Sequence, residues 1–340
     1  MTSIPKDFRT LDRTWIVAEI GVNHEGDEKV AADLIAKAAA AGADAVKFQT
    51  YEAEHYVSTV QPERRARVKR FELSRAAFTR LGGVARELGV QFFSTPLHAV
   101  DADFLDPLVQ VFKISSGDLT YLDLIRHVAA KNKPIIVSTG SGTRDEIAAA
   151  ILAVEQGQPG AAKRGKLLLM HCVAAYPAPR EEANLRNIGW LAREFGVPVG
   201  YSDHTLGTKA CELAVAAGAV ALEKHFTYRK EDQAFHDHAI SADPSDMKAL
   251  VETVRTAEIY LGQAERKRGA AEEKNLAHMR RSLAASVDIP AGVPVEARWL
   301  TALRPAWGLH PHDQAGLIGK RLKRVVPAGD LIRAEDVSDS

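Results

Sequence analysis

Short apolar runs recur along the chain at intervals of about 20 to 35 residues, alternating with Ala-rich stretches whose apolar positions fall three and four apart. This alternation of strand-like and helix-like periods predicts repeated βα units. Eight runs fit: 15–21 (WIVAEIG), 45–50 (AVKFQT), 91–96 (QFFSTP), 111–116 (VFKISS), 134–140 (PIIVSTG), 166–172 (KLLLMHC), 198–204 (PVGYSDH) and 219–226 (AVALEKHF). Each opens with residues suited to a strand buried on both faces and finishes in polar or ionisable ones, which a purely structural strand does not require. Function is therefore expected at the C-terminal strand ends. Residues 27–42 (DEKVAADLIAKAAAAG) show the intervening helices, with acidic residues in the first turn and Gly42 as a stop.

Eight such units closing on themselves predict an α/β fold, a (β/α)8 TIM barrel. A doubly wound sheet would carry a Gly-rich phosphate fingerprint after its first strand, where GVNHEGD stands instead. The last barrel helix is expected at 243–262, followed by a charged stretch at 263–281, poor in aliphatic residues, that reads as a connector. From Ser282 the segments SLAASVDI, PVEARWL, GLIGKRLKRVV and LIRAEDV predict short strands and turns, punctuated at 290–292 and 328–330. The expected division is a barrel over 1–265, a linker over 266–281 and a small, mostly-β domain over 282–340. So small a domain folds only marginally alone and is expected to lean on a partner surface.

A length of 340 residues suits a barrel with an appendage. Lys plus Arg and Asp plus Glu both number 44, so net charge favours neither nucleic acid nor an anionic membrane, and an anionic small molecule needs a local site. No apolar run approaches the roughly 20 residues of a membrane span, and the first residues lack a signal-peptide apolar region, which places the chain in the cytoplasm. Cys172 and Cys211 are too few for a disulfide framework and are expected to be reduced and structural.

The last two strand ends, Ser202-Asp203-His204 and Glu223-Lys224-His225, bring two imidazoles to one rim. They read either as hydrogen-bonded rim residues or as ligands of a labile divalent ion such as manganese or zinc. On the same rim, Lys47, Thr95, Lys113, Ser116, Ser138 and Ser202 combine two ammonium groups with several hydroxyls, a set suited to phosphate and carboxylate. A desolvated Lys there also keeps a Schiff-base aldolase open. Glu19 and His24 follow the first strand, and Asp237 and His238 follow the last; a carboxylate there is placed to hold sugar hydroxyls or move a proton, with extra metal ligation near His225 the weaker option.

The ordered motifs AEIGVNHEG, GADAVKFQT, FFSTP, FKISSGD, KPIIVSTG, MHCVAAYPAP, GYSDHTLG and EKHFT resemble the sialic acid (N-acetylneuraminate) synthase family over essentially the whole chain. The C-terminal segment, from RRSLAASVDIPAGVPVEARWL to VPAGDLIRAEDV, resembles the antifreeze-like, or SAF, domain of that family. The resemblance implies a metal-dependent transferase of polysaccharide biosynthesis that condenses phosphoenolpyruvate with an N-acylated hexosamine aldehyde. The product would be a nonulosonic acid of sialic, legionaminic or pseudaminic type, together with phosphate. It implies Mn2+ or another divalent metal on His204 and His225, and phosphoenolpyruvate on Lys47, Thr95, Lys113, Ser116, Ser138 and Ser202. Glu19, Tyr176 and Asp237 would face the sugar, with Glu19, Lys113 and the two histidines in catalytic roles. It further implies a domain-swapped homodimer in which Arg304 of one chain reaches the barrel mouth of the other. Three features depart from the family pattern: Ala174 where Asn is common, FHDH with His236 in place of Pro-Gly-Pro-Asp-His, and the segment after the second strand, EAEHYVSTVQPERRARVKRFELS. All three lie on the sugar side. The competing readings are a Schiff-base aldolase and a sugar-binding barrel without turnover.

Overall fold

A computed structural model describes residues 7–231, 233, 235 and 237–338. Its chain divides into two compact units, residues 1–262 and 263–340. The first is built on eight parallel strands: β1 (Trp15–Gly21), β2 (Ala45–Thr50), β3 (Gln91–Pro96), β4 (Phe112–Ile114), β5 (Ile135–Ser138), β6 (Leu167–Cys172), β7 (Val199–Asp203) and β8 (Ala221–His225). The hydrogen-bonded order runs β3-β2-β1-β8-β7-β6-β5-β4, and β3 and β4 lie side by side, which completes a TIM barrel. All eight expected strands are present. The first three match to the residue; β4 and β5 are shorter, because Ser116 opens a 3-10 turn and a turn begins at Gly140.

The helices stop and start where local chemistry requires. The first, α1 (Glu28–Ala40), is capped by the Asp27 carboxylate accepting from the Lys29 and Val30 amides, and the chain leaves it through Gly42 at φ +90°. The last barrel helix, Pro244–Leu261, begins with Asp243 and Asp246 in a reciprocal capping box. After β2 the chain makes two extra helices, α2 (Ala53–Tyr56) and α3 (Pro62–Phe71), before the helix Arg75–Glu87 that packs on the barrel. At the opposite end of the barrel from the strand C-termini, buried Asp44 accepts from the Ile16 amide at 2.9 Å and pairs with Arg255 at 2.9 Å.

Alternate strand residues face the same side. Ala45, Lys47 and Gln49 therefore share one face of β2, Gly200 and Ser202 one face of β7, and Ala221, Glu223 and His225 one face of β8. Low on this face the residues are apolar or small and fill the barrel; towards the C-terminal ends they become polar. A Cβ at Gly200 would meet the Ala221 carbonyl at 2.8 Å, so glycine lets β7 and β8 close up beneath the polar layer.

The second unit pairs β9 (Ser282–Ala285) with β10 (Leu300–Leu303) antiparallel around a core that includes Leu283, Ile289, Leu322 and Ile332. The other segments expected as strands appear as single bridges, such as Ile289 with Val326 and Leu322 with Val337. The stretch read as a linker carries the helix Ala270–Met279, none of whose residues is buried. Its Ala, Glu and Lys content favours a helix without an apolar stripe, the feature whose absence made the stretch read as a connector, and Glu272 and Glu273 in its first turn pair with Arg266 and Arg268 just ahead of it.

Candidate active site

A cavity of about 630 Å³ opens at the C-terminal ends of the strands, a size suited to a small-molecule site. Its floor is a ring of buried charge. Lys47 on β2 and Lys113 on β4 enter from the two sides, and Glu223 on β8 bridges them: Lys113 Nζ lies 3.2 Å from Oε1 and Lys47 Nζ 3.6 Å from Oε2. The Ser202 hydroxyl donates to the same Oε1 at 2.9 Å. Lys47 also meets Glu19 Oε2 at 2.9 Å and donates to Thr95 Oγ1 at 3.3 Å. Burial alone would raise the Glu223 carboxyl, but the Lys113 and Lys47 ammoniums outweigh it and hold it below the usual range. For Glu19 burial wins over Lys47, lifting the carboxyl to about 7. Burial pulls both lysines down; in Lys47 the carboxylates of Glu19 and Glu223 more than offset it, whereas Lys113 stays depressed.

Hydroxyls complete the floor. Ser116 Oγ accepts from the Gly140 amide at 3.0 Å and touches Cys172 Sγ at 3.0 Å, an approach that needs glycine at 140 because a Cβ there would meet those two atoms at 2.8 and 2.9 Å. Ser138 Oγ is buried and meets no hydrogen-bond partner among the described residues, which leaves a hydroxyl for a ligand oxygen.

On the other side of the cavity stand the imidazoles of His204 and His225, ring centroids 5.4 Å apart, with the Tyr176 ring 4.1 Å from that of His204. His204 Nδ1 lies 2.6 Å from the Val173 carbonyl. A carbonyl only accepts, so Nδ1 carries the hydrogen and Nε2 keeps its lone pair. His225 Nδ1 is buried without a hydrogen-bond partner among the described residues, 3.7 Å from Asp237 Oδ2. Burial depresses both imidazoles and keeps them neutral, the form that binds metal. Among the described residues no three His, Cys, Asp or Glu side chains converge to hold an ion by themselves. Two neutral imidazoles with open lone pairs fit a labile ion whose remaining positions are filled by water and substrate oxygens.

Behind these histidines lies a second buried layer. Lys224 Nζ meets Asp203 Oδ2 at 2.8 Å and donates to the Thr205 carbonyl at 2.6 Å; Asp203 also accepts from Tyr201 Oη at 3.1 Å and the Thr205 amide at 2.9 Å. The pair spans neighbouring positions of β7 and β8, one residue before each histidine.

Glu19, Tyr176 and Asp237 line this one cavity together with Lys47, Thr95, Lys113, Ser116, Ser138, Ser202, His204 and His225, whereas Asp203 and Lys224 do not. The lining residues all belong to the first unit, while Arg304 is exposed in the second. His24 and His238 are buried away from the lining; His238 is tied to Thr227 at 2.6 Å and to Glu25 at 3.2 Å, which accounts for it without a metal. His236 lies outside the described residues. Glu223 was not singled out in the sequence, although its place two residues before His225 puts both on one strand face. Cys172, expected to be structural, lines the cavity, and only Cys211 sits wholly in the packing; both are free thiols. Arg64 and Arg67 of α3 also line the cavity.

The NeuB family profile matches residues 34–266, and the SAF domain profile matches residues 280–338. The chain belongs to the NeuB family. Among NeuB relatives, the N,N'-diacetyllegionaminic acid synthase of Legionella pneumophila is 39% identical over 95% of this chain and 94% of its own length. The pseudaminic acid synthase of Campylobacter jejuni (strain 81-176) is 32% identical over 97% and 98%. The crystal structure of an N-acetylneuraminic acid synthetase from Leptospira borgpetersenii superposes with a TM-score of 0.73 at 32% identity, covering 78% of this chain and 90% of that one. Among the described residues no helix is long and apolar enough to cross a membrane.

Proposed function

We propose that the chain condenses phosphoenolpyruvate with an N-acylated hexosamine aldehyde, giving a nonulosonic acid of sialic, legionaminic or pseudaminic type and inorganic phosphate. The observation that carries this reading is the two-sided floor of one cavity: two buried ammonium groups with Thr95, Ser116, Ser138 and Ser202 on one side, two neutral imidazoles on the other. The first side suits the phosphate and carboxylate of the enol phosphate. His204 and His225 would hold a divalent ion, Mn2+ in our reading, which supplies Lewis-acid polarisation of the aldehyde oxygen when bound.

The chain's own residues then divide the work. Lys47 and Lys113 offset charge on the phosphate and carboxylate while C3 of the enol phosphate forms a bond to the aldehyde carbon. Water adds at C2, the C2–O bond breaks and phosphate leaves with the bridging oxygen. Glu19, next to Lys47 and with its carboxyl raised by burial, is placed to take and return a proton. Tyr176 and Asp237 frame the sugar, and Arg304 from a second chain completes the mouth in a domain-swapped homodimer. A biosynthetic role of this kind places the protein in the cytoplasm.

A Schiff-base aldolase would have to use Lys113, whose ammonium is depressed by burial; borohydride trapping with a keto acid tests it. The main experiment is phosphate release from phosphoenolpyruvate with Mn2+ across N-acetylmannosamine, its 6-phosphate and 2,4-diacetamido-trideoxyhexoses. Release with one of them, stopped by a chelator, is expected; no release with any acceptor would reduce the chain to a binding barrel. The His225→Ala variant should fold, lose tight Mn2+ binding by electron paramagnetic resonance and lose turnover; unchanged activity would end the metal assignment.

A further inference from the structure

The helix α3 presents one stripe to the cavity. Arg64, Arg67, Val68 and Phe71 fall at successive spacings of three, one and three residues, the pattern of a single helix face. At the inner end of the stripe, Phe71 is buried in a cluster with Val22, Tyr51 and Leu97, against which Val68 packs. That cluster anchors the helix and carries Arg64 and Arg67, one turn apart, to the wall of the cavity.

Their charge differs in kind from that of the floor. Lys47 and Lys113 are already matched by Glu19 and Glu223. Arg64 donates to the Gln61 side chain at 3.2 Å and lies 5.8 Å from the Tyr56 ring, and no carboxylate stands within ion-pair distance of either arginine among the described residues. Arg67 lines the same cavity as Tyr176 and Asp237, the residues read as facing the sugar. A guanidinium offers only donors, in a planar fork that matches the paired oxygens of a carboxylate or phosphate. Recognition of hydroxyls or amides alone does not call for two positive charges.

From this we infer that Arg64 and Arg67 form a subsite for an anionic substituent on the acceptor sugar, a phosphate or a carboxylate, remote from the aldehyde. The inference rests on the condensation proposed above and names its acceptor class. The test compares kcat/KM at saturating phosphoenolpyruvate for N-acetylmannosamine 6-phosphate, N-acetylmannosaminuronic acid, N-acetylmannosamine and 2,4-diacetamido-2,4,6-trideoxymannose, with wild type and Arg67→Met. The wild type should prefer an anionic acceptor, and the better of the phosphate and uronate arms names the group. Arg67→Met should raise KM for that acceptor about ten- to a hundred-fold, as for loss of a charge-assisted contact, while KM for phosphoenolpyruvate stays constant. Equal or better use of a neutral sugar would overturn the subsite. So would a variant that raises KM for phosphoenolpyruvate alone, since the arginines would then serve the enol phosphate. Calorimetric binding of the 6-phosphate and the uronate, with wild type and variant, decides the matter even if nothing turns over. Binding of an anionic sugar that Arg67→Met weakens would keep the subsite while the condensation fails; no binding, or binding that the variant leaves unchanged, would remove it. Arg67 is exposed on its helix, so the variant is expected to melt with the wild type.

Discussion

Replacing Lys224 with Met should be costly although Lys224 does not line the cavity. The ammonium is 1% exposed and faces Asp203, itself fully buried, at 2.8 Å. Methionine fills similar volume but leaves the Asp203 carboxylate uncompensated and the Thr205 carbonyl without its donor. Breaking a buried pair from one side costs about 3–5 kcal/mol. Asp203 keeps Tyr201 Oη and the Thr205 amide as donors, which places the expected loss near the lower end, about 3 kcal/mol. For a unit of this size that is roughly 6–12 °C in Tm. The assay is thermal and urea unfolding of Lys224→Met and of the double variant Asp203→Asn, Lys224→Met, with Mn2+ affinity measured alongside. The double variant should recover at least half of the lost stability, because no charge remains buried alone. Mn2+ binding should weaken in the single variant, since the pair joins β7 and β8 one residue before His204 and His225. A Tm within about 2 °C of wild type, or a double variant less stable than the single one, would refute the reasoning.

Lys113→Met should raise KM for phosphoenolpyruvate and lower kcat/KM by about two to three orders of magnitude, consistent with a unit charge about 4 Å from an anion at an effective dielectric near 20; steady-state kinetics checks it, and a change confined to the acceptor KM would contradict the assignment. His24 is buried and depressed to about 4, below its unfolded value near 6.5, so its contribution to stability is complete above about pH 6.5 and is lost as pH falls towards 4. That linkage amounts to roughly 3 kcal/mol. The His24→Asn variant should therefore lose less stability than wild type between pH 7 and pH 4.5; parallel slopes would show that His24 does not titrate differently on folding.

The barrel was legible because its strands are continuous apolar runs that end in polar residues, and because the helices between them carry their own start and stop signals, as at Asp27 and Gly42. The same runs place Lys47, Lys113, His204 and His225 on one rim. Glu223 escaped because an acid next to Lys224 and His225 reads as ordinary rim polarity; only strand parity separates it from Lys224, which points the other way into the Asp203 pair. The helix Ala270–Met279 was hidden by its lack of an apolar stripe. In the second unit, paired segments are so short that most register as single bridges, and alternation over four or five residues cannot tell these from strands. Arg64 and Arg67 sat in a segment that departs from the family pattern, and their shared face becomes meaningful only once Val68 and Phe71 are known to anchor it.

The charged groups on the cavity floor, Lys47, Lys113, Glu19 and Glu223, are rooted in β-strands, where each is one residue away from the packing of the barrel. The groups of α3 hang on an insertion between β2 and the helix that follows, held by a small apolar cluster of its own. On the subsite inferred for Arg64 and Arg67, donor chemistry and acceptor choice would be encoded in separate parts of the chain. A new sugar would then call for rewriting a short surface segment while the reaction centre stays as it is, and the stretch between residues 53 and 71 becomes the cassette to exchange when a different product is sought.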